Sequence, residues 1–258
     1  MQDLTSIRWW RDWRRRRILD RHLIDAGIWS PVVESSPAAS RLPDTERWQL
    51  RDLASLFLYE KSIEPAGGLE LTDPMLACIA CEACVPIRNL GLELYRHWYS
   101  VIVYPGEFIA RHRYMDEAGV EHDEREARMG EAWEHGPVVI SWEDVAGREP
   151  GVNVIIHEMA HKLDLLDGAS NGHPPLHADM DPRAWADAFG SAYAEHVREI
   201  EAGRDTAIDP YAAEDPAEFF AVASEAFFDT PELLQDVWPQ VYAQLALYYR
   251  QRPGGGHH

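Results

Sequence analysis

The stretch HEMAHKLD, residues 157–164, contains two histidines four positions apart with a glutamate between them. On a helix this spacing places His157 and His161 one turn apart on the same face, where both imidazoles can bind one metal ion. Zinc takes neutral nitrogen ligands in a tetrahedral arrangement, and Glu158 stands beside the pair, where it could accept a proton from a water molecule on the metal. The stretch therefore predicts two of the three protein ligands of a catalytic zinc site.

A third ligand is expected because catalytic zinc usually has three protein ligands and keeps one position open for water. The nearest candidate comes from the metzincin pattern, in which a glycine and then another ligand follow the second histidine. Those two positions hold Asp164 and Asp167 in this chain. Without the glycine, the sharp turn that would bring Asp167 back to the metal is disfavoured. Asp167 is therefore the weaker alternative.

A later apolar segment, DPAEFFAVASEAFFD, offers two more carboxylates. Glu218 and Glu225 are seven residues apart and so face the same side of a helix. Glu225 forms an E-x-x-x-D pattern with Asp229 that looks like the thermolysin arrangement. Asp215 and Glu218 also fit the capping box of a helix start, which would explain Glu218 without any metal. Spacing alone leaves both glutamates open as the third ligand.

The overall composition describes an ordinary globular protein and excludes some partners. The chain has 258 residues, enough for one large domain or two small ones, and a formal net charge of −20. Such a charge argues against a general nucleic-acid binder, because phosphates repel it. No run approaches the roughly 20 apolar residues of a transmembrane span, and the first residues lack the apolar core of a secretory signal. We therefore expect a cytoplasmic protein with no transmembrane segment.

The three cysteines, Cys78, Cys81 and Cys84, form a C-x-x-C-x-x-C pattern. An iron–sulfur cluster normally needs four thiolates, and the chain has no fourth cysteine. The same spacing places the three side chains on neighbouring turns of one helix, where free cysteine behaves as a small apolar residue. The pattern therefore favours a core helix.

The chain begins with a basic, tryptophan-rich segment, MQDLTSIRWWRDWRRRRIL. One interpretation is an arm that binds a membrane surface or a partner. The other is an amphipathic or frayed end that pairs with the protein's own acidic residues. The sequence favours the second interpretation without excluding the first.

Periodicity predicts helices at both ends and short strands in the middle. A helix should begin at Asp44 as N-cap, and another should run from Pro74 to about Gly91, with Pro86 bending or ending it. SVIVYPG and PVVISW are strand-like, and the acidic stretch from Met115 to Glu134 between them reads as loop or hairpin. Further helices are predicted in GVNVIIHEMAHKLDLL, DPRAWADAFGSAYAEHVREIE, DPAEFFAVASEAFF and PELLQDVWPQVYAQLALYYR.

Several of these runs together resemble the Mlc titration factor A family of zinc-dependent peptidases. They are GPVVISW, HEMAHKLD, IDPYAAEDPAEFFAVASEAFF and the closing PELL, and the resemblance covers about Leu42 to Tyr249. It implies that the third zinc ligand is the glutamate of DPAE, Glu218; the lethal-factor type of metallopeptidase has a similar segment. It further implies that Tyr211 donates a hydrogen bond to the oxyanion of the reaction. Glu225 and Asp164 then become residues that orient the ligand histidines.

The resemblance implies an α+β fold: a mainly helical, zincin-like and specifically gluzincin-like domain with a small mixed β-sheet and an N-terminal helical subdomain. The expected divisions are a basic segment and linker (1–41), the helical subdomain (42–99), the catalytic domain (100–250) and a flexible tail (251–258). The expected activity is hydrolysis of peptide bonds, as an aminopeptidase or an endopeptidase, with one Zn²⁺ per chain. By analogy with other zincins, an extended substrate would add to the edge strand that contains Val138, Val139 and Ile140.

Two other functions remain open in the sequence. The family name records a role in sequestering the transcriptional repressor Mlc, so the chain could be a repressor-binding protein whose peptidase activity is incidental. A metal-dependent hydrolase that acts on other bonds is the second alternative. A Glu158→Gln variant distinguishes enzyme from binding protein, because Glu158 is expected to act in turnover and not in metal binding.

Overall fold

The computed structural model describes residues 3–106 and 136–255, with side chains from residue 9 onward. Helices dominate these ranges, and a small sheet lies between an N-terminal and a C-terminal group of helices. Single turns of 3-10 helix cover Leu92–Tyr95, Leu165–Asp167 and Pro210–Ala213. The elements are α1 (Asp3–His22), α2 (Ala26–Ser35), α3 (Pro37–Ser40), α4 (Asp44–Glu60), β1 (Ser62–Pro65), α5 (Asp73–Cys84), β2 (Ser100–Tyr104), β3 (Val138–Ser141), α6 (Trp142–Ala146), α7 (Val154–Asp164), α8 (Pro182–Glu201), α9 (Pro216–Asp229), α10 (Pro231–Val237) and α11 (Pro239–Tyr249).

The three described strands form a parallel sheet in the order β1-β2-β3. Ile63 pairs with Val101, and Val103 pairs with Ile140. The prediction of a mixed sheet is therefore wrong for this part of the chain. The physical reason is the length of the connections: β1 reaches β2 through α5, and a crossover of that kind returns the chain in the same direction. The predicted loop or hairpin from Met115 to Glu134 lies outside the described residues.

Helices α4 and α5 follow the prediction closely, with differences at their ends, whereas the predicted linker is wrong at α2 and α3, which Asp25 and Ser36 cap through their side chains. The first predicted helix is α4, but Asp44 is its first residue and Pro43 occupies the cap position without a side-chain hydrogen bond. The second is α5, which the Thr72 hydroxyl caps by accepting from Met75 N. This helix ends at Cys84, well before Gly91, because Pro86 cannot continue the backbone hydrogen bonds.

The cysteines lie on α5 and belong to the protein core. Cys81 and Cys84 are fully buried and Cys78 is partly buried. Burial raises the pKa of the Cys81 and Cys84 thiols well above their usual range, so both remain protonated. The prediction of a core helix is confirmed.

The C-terminal helices pack around α9, which is buried along most of its length. Phe219 and Phe220 of α9 contact Phe189 of α8, whose ring stacks on Trp185 with centroids 4.3 Å apart. The last predicted helix is two helices, α10 and α11, because Pro239 interrupts the hydrogen-bond pattern and begins a new one.

A continuous cluster of buried apolar side chains extends from α1 to α11. The side chain of Gln251 joins this body: it is buried and donates to the carbonyl oxygen of Val85 at 2.8 Å. Gln251 therefore does not belong to the flexible tail in which the sequence placed it. None of the described helices is both long enough and apolar enough to cross a membrane.

Candidate metal centre

Helix α7 carries the two histidines and is held at its N-terminus by Asn153. The Asn153 side chain accepts a hydrogen bond from Ile156 N at 3.2 Å, which satisfies one of the free amides of the first turn. One face of α7, including Ile155, Ile156, Met159 and Leu163, is buried in the core. His157, Glu158 and His161 are only partly buried. The apolar pattern of the sequence thus places these three side chains away from the core.

Helix α9 brings a carboxylate to the same place. Asp215 caps α9 by accepting from Ala217 N at 2.7 Å and Glu218 N at 3.0 Å, and Pro216 occupies the first helical position. The N-cap part of the predicted capping box is therefore confirmed. The Glu218 side chain, however, reaches the two histidines of α7.

Three ligand atoms converge between α7 and α9. The Nε2 atoms of His157 and His161 are 3.0 Å apart. Oε2 of Glu218 lies 3.1 Å from Nε2 of His157 and 3.4 Å from Nε2 of His161. Among the histidine, cysteine and acidic side chains of the described ranges, these three bring their ligand atoms close enough together to share one ion.

The size of this triangle fits a small divalent cation. Ligand atoms at about 2.0–2.1 Å from a tetrahedral zinc ion are separated by about 3.3–3.4 Å. Oε2 of Glu218 is buried and lies against the two Nε2 atoms, as expected of an atom that shares an ion with them. Burial alone would raise the pKa of Glu218, but the two histidines lower it to about 2, so the carboxylate is ionised. The donor set of two imidazoles and one carboxylate therefore fits a zinc-type metal.

Glu225 determines which nitrogen of His157 faces the triangle. Its Oε1 lies 2.8 Å from Nδ1 of His157. A carboxylate accepts hydrogen bonds, so Nδ1 carries a proton and Nε2 is the nitrogen that faces the site. Burial would lower the pKa of His157, but hydrogen bonding with Glu218 and Glu225 raises it to about 10. Metal binding must therefore displace a proton from this cluster.

Glu158 lies between the two histidines in sequence and outside the triangle of ligand atoms. Burial raises its pKa, and the opposing effect of His157, His161 and Lys162 does not cancel that shift. A carboxylate with a raised pKa is a stronger base than an ordinary surface glutamate. Its side chain is therefore suited to proton transfer.

Tyr211 lies at the entrance to the triangle, on the 3-10 helix that precedes α9. Its ring centroid is 6.3 Å from that of His157, and 50% of the residue is exposed. Burial, followed by the nearby carboxylates of Glu218 and Glu214, raises the pKa of the phenol, which therefore stays protonated and can donate a hydrogen bond. The structure thus brings together all five residues predicted to bind metal or act in catalysis.

The described hydrogen bonds of Asp164 do not involve the ligand histidines, so its predicted role in orienting one of them stays a prediction. Its described hydrogen bonds run to the loop after α7: Oδ2 accepts from Asn171 N at 2.8 Å and from Gly172 N at 2.7 Å. Gly172 in turn lies against the start of α9, where a Cβ on this residue would be 2.2 Å from the Pro216 carbonyl oxygen. Asp164 therefore connects the histidine helix to the helix that carries Glu218.

Asp167 takes no part in the triangle. It lies on the exposed 3-10 turn that follows α7, and its Oδ1 accepts from Ala169 N at 3.2 Å. The adjacent Gly168 adopts a φ of +88°, which ends the helical segment. The weaker alternative for the third ligand thus has a local structural role.

A buried polar network behind Glu225 was not predicted from the sequence. Glu225 Oε2 accepts from the backbone N of Asn153, whose Nδ2 donates to Glu82 at 3.0 Å. Glu82 pairs with Arg148 at 3.2 Å, and Asp229 lies 3.9 Å from the same guanidinium. The network links α5, the loop before α7 and α9. Asn153 could have been identified from its position as an N-cap, whereas the spacing of Glu82 and Arg148 gives no indication of their contact.

Lys162 connects α7 to the sheet. It is only 8% exposed, and its Nζ donates to the backbone oxygen of Gly136 at 2.9 Å, just before β3. β3 pairs with β2 on one side and, within the described ranges, has no strand on the other. Val138 and Ile140 are buried and Val139 is partly exposed.

The relatives found by comparison with known proteins share one name and match most of the chain. The chain is 38% identical over 229 residues to the Mlc titration factor A of Pectobacterium atrosepticum, covering 87% of this chain and 86% of that protein. It is 38% identical to the Yersinia enterocolitica protein of that name and 36% identical to the Klebsiella pneumoniae protein, each over 84% of this chain and 83% of the relative. The predicted family resemblance is confirmed.

The model of the family described as glucose-regulated metallo-peptidase M90 matches residues 10–250. This range includes the helices α7 and α9, the 3-10 turn with Tyr211 and the strands of the sheet. A metallopeptidase family accounts for a His-His-Glu group at the junction of two helices. The chain therefore belongs to the glucose-regulated metallo-peptidase family M90.

Proposed function

We propose that this protein is a zinc-dependent peptidase in which His157, His161 and Glu218 hold one zinc ion. The observation that carries the proposal is the triangle of two Nε2 atoms and one carboxylate oxygen, with sides of 3.0, 3.1 and 3.4 Å. Two imidazoles and one carboxylate are a donor set of catalytic zinc, which leaves a fourth position open. When bound, zinc supplies Lewis acidity, which polarises a peptide carbonyl and lowers the pKa of water.

Glu158 acts as the general base in this proposal. It accepts the proton of the attacking water and passes it to the nitrogen of the leaving amine as the peptide bond breaks. Its raised pKa supports both steps, because a base whose pKa approaches the working pH also returns its proton readily. Glu158 adjoins His157 on α7, so the metal helix itself presents this base to the reacting atoms.

Tyr211 donates a hydrogen bond to the oxygen of the scissile carbonyl as negative charge develops there. Its half-exposed ring at 6.3 Å from that of His157 and its protonated phenol support this role. The substrate lies as an extended strand along β3, held by backbone hydrogen bonds. Lys162 supports that arrangement, since it ties α7 to Gly136 at the start of the strand.

The test compares the wild type with Glu158→Gln for bound zinc and for hydrolysis of peptide substrates. We expect the variant to retain zinc, because Glu158 is not one of the three converging groups, and to lose turnover by about 100-fold or more. Glu201→Gln, at the exposed end of α8, is the matched control and should behave like the wild type. Equal turnover in wild type and Glu158→Gln would refute the peptidase proposal.

The name of the relatives supports a second candidate function. Mlc titration factor A denotes a protein that titrates Mlc, so this chain could bind a repressor of that type whether or not it cleaves peptides. The test is binding of purified Mlc from a relative's organism to wild type and Glu158→Gln. Binding by both proteins, without cleavage of any peptide, would favour the binding function over the enzyme.

A further inference from the structure

Helix α1 has one side that packs on the protein. Ile18 is buried in the core and Leu19 packs against it. Arg11 and Arg15 lie on the same side and both reach Oε1 of Glu93 at 3.3 Å. The interpretation of the basic segment as paired with the protein's own acids is therefore confirmed for these two arginines.

The opposite side of α1 presents a cluster of tryptophans to solvent. Trp9, Trp10 and Trp13 are 62%, 60% and 38% exposed. Trp10 and Trp13 meet edge to face with centroids 5.2 Å apart, and Trp9 lies within 6.5 Å of both. Three adjacent indole rings are a large apolar area to leave in water, and such patches usually mark an interaction site.

Arginines flank this cluster along the same side of the helix. Arg14, Arg16, Arg17 and Arg21 are exposed. The guanidinium of Arg17 lies 4.9 Å from the centre of the Trp13 ring. Within the described ranges, none of these four arginines forms an ion pair with an acidic side chain. The strip also carries the exposed acid Asp20 but remains net positive, on a protein whose net charge is −20.

We propose that this tryptophan and arginine face of α1 docks on the surface of an anionic phospholipid bilayer. Indole rings partition into the boundary between headgroups and acyl chains, where the ring is apolar and the N–H remains hydrated. Arginine guanidinium groups bind lipid phosphates and are attracted by the negative surface potential. The two residue types occur together on the one side of α1 that the rest of the described protein leaves uncovered.

The net charge of the protein favours a bilayer over a nucleic acid as the occupant. A flat bilayer surface can contact α1 without contacting the rest of the protein. Salt screens the repulsion between that surface and acidic groups of the protein that lie more than about 10 Å away from it. A nucleic-acid strand long enough to bind tightly would leave this 20-residue helix and meet acidic protein surface. The tryptophans also contact one another, two pairs edge to face and Trp9 stacked with Trp13, in place of the separated platforms on which bases stack.

The experiment measures binding of the full-length protein to vesicles. Sedimentation with vesicles of phosphatidylcholine plus phosphatidylglycerol is compared with sedimentation with phosphatidylcholine alone. We expect binding to the anionic vesicles only, and at least tenfold weaker binding when salt is raised from about 0.1 M to about 0.5 M. No binding of the wild type to anionic vesicles would overturn the proposal, as would tighter binding to single-stranded RNA than to vesicles.

Two sets of variants locate the contact. Trp9→Ser with Trp10→Ser and Trp13→Ser, and separately Arg14→Gln with Arg17→Gln, should each weaken vesicle binding by more than tenfold. The matched control is Trp48→Ser, because Trp48 lies on α4 and is 48% exposed; it should bind like the wild type. Equal loss in the Trp48 variant would show that binding is not a property of α1. Circular dichroism and the melting temperature report on the fold of each variant and do not depend on the proposed metal site.

Discussion

Replacing Glu218 and Glu225 separately by glutamine distinguishes a metal ligand from a residue that orients one. Oε2 of Glu218 lies 3.1 Å and 3.4 Å from the two Nε2 atoms. Glu225 instead contacts Nδ1, on the far side of the His157 ring, at 2.8 Å. Both glutamates face the same side of α9, so the two variants change the same chemical group in the same helix.

The geometry sets the expected magnitudes. Zinc sites in proteins typically have binding free energies of about 10 kcal/mol or more. If three protein ligands contribute equally, each contributes about 3 kcal/mol. Loss of the Glu218 carboxylate should therefore weaken zinc binding by about 200-fold. Glutamine at position 225 still offers an amide oxygen to Nδ1, and loss of such an orienting contact typically costs about 10-fold.

The assay is competition for zinc with a chromogenic chelator, which gives an apparent Kd for each variant at one pH. The melting temperature of the metal-free proteins checks that both variants fold. Glu158→Gln serves as the control for changing a carboxylate next to the ligands and should keep the wild-type affinity. A larger loss for Glu225→Gln than for Glu218→Gln would refute the ligand assignment.

Three further outcomes are expected. Tyr211→Phe should keep its zinc and lower kcat by about 100-fold, measured by steady-state peptide hydrolysis; an unchanged kcat would remove Tyr211 from the reaction. Gly172→Ala should lower the free energy of unfolding, measured by denaturant titration, by about 3 kcal/mol, because its Cβ would lie 2.2 Å from the Pro216 oxygen. The control is Gly203→Ala, which is also at positive φ but in open space and should lower the free energy of unfolding by only about 1 kcal/mol. Burial raises the pKa of Asp229 to about 6, so this carboxyl holds its proton more tightly in the folded state than in the unfolded state. The free energy of unfolding of the wild type therefore falls as the pH rises and Asp229 becomes charged. Asp229→Asn should therefore gain about 2–3 kcal/mol relative to the wild type between about pH 4 and about pH 8, and a gain that does not change with pH would contradict this explanation.

Local chemistry made much of the site predictable from the sequence. His157 and His161 are four residues apart on one helix, so their spacing alone determines that they share a face, with Glu158 beside them in sequence. Asp215 and Pro216 likewise predicted the start of α9, because helix capping depends only on residues adjacent in sequence. Short-range patterns also located α4, α5, β2 and β3, but they missed β1, the short helices α2, α3 and α6, and the break at Pro239.

Contacts between different helices and strands could not be predicted from the spacing of residues in the sequence. Lys162 looks out of place in an apolar helix until Gly136 is seen to accept its hydrogen bond. Glu82 and Arg148 are ordinary charged residues in the sequence, yet they form a buried pair behind the metal centre. The parallel direction of β2 and β3 likewise depends on the path of the chain between them.

The sequence by itself determined that two imidazoles lie on one face of α7, with the Glu158 carboxylate adjacent to them, because a helix repeats every 3.6 residues whatever surrounds it. Spacing left Glu218 and Glu225 equivalent, since both lie on the same face of α9, and the family resemblance only implied that Glu218 is the ligand. Only the tertiary structure shows how their contacts differ: the crossing of α7 and α9 places Glu218 at the Nε2 atoms and Glu225 at Nδ1 of His157. That difference depends on how two helices pack across the core, and packing is a property of the whole folded chain.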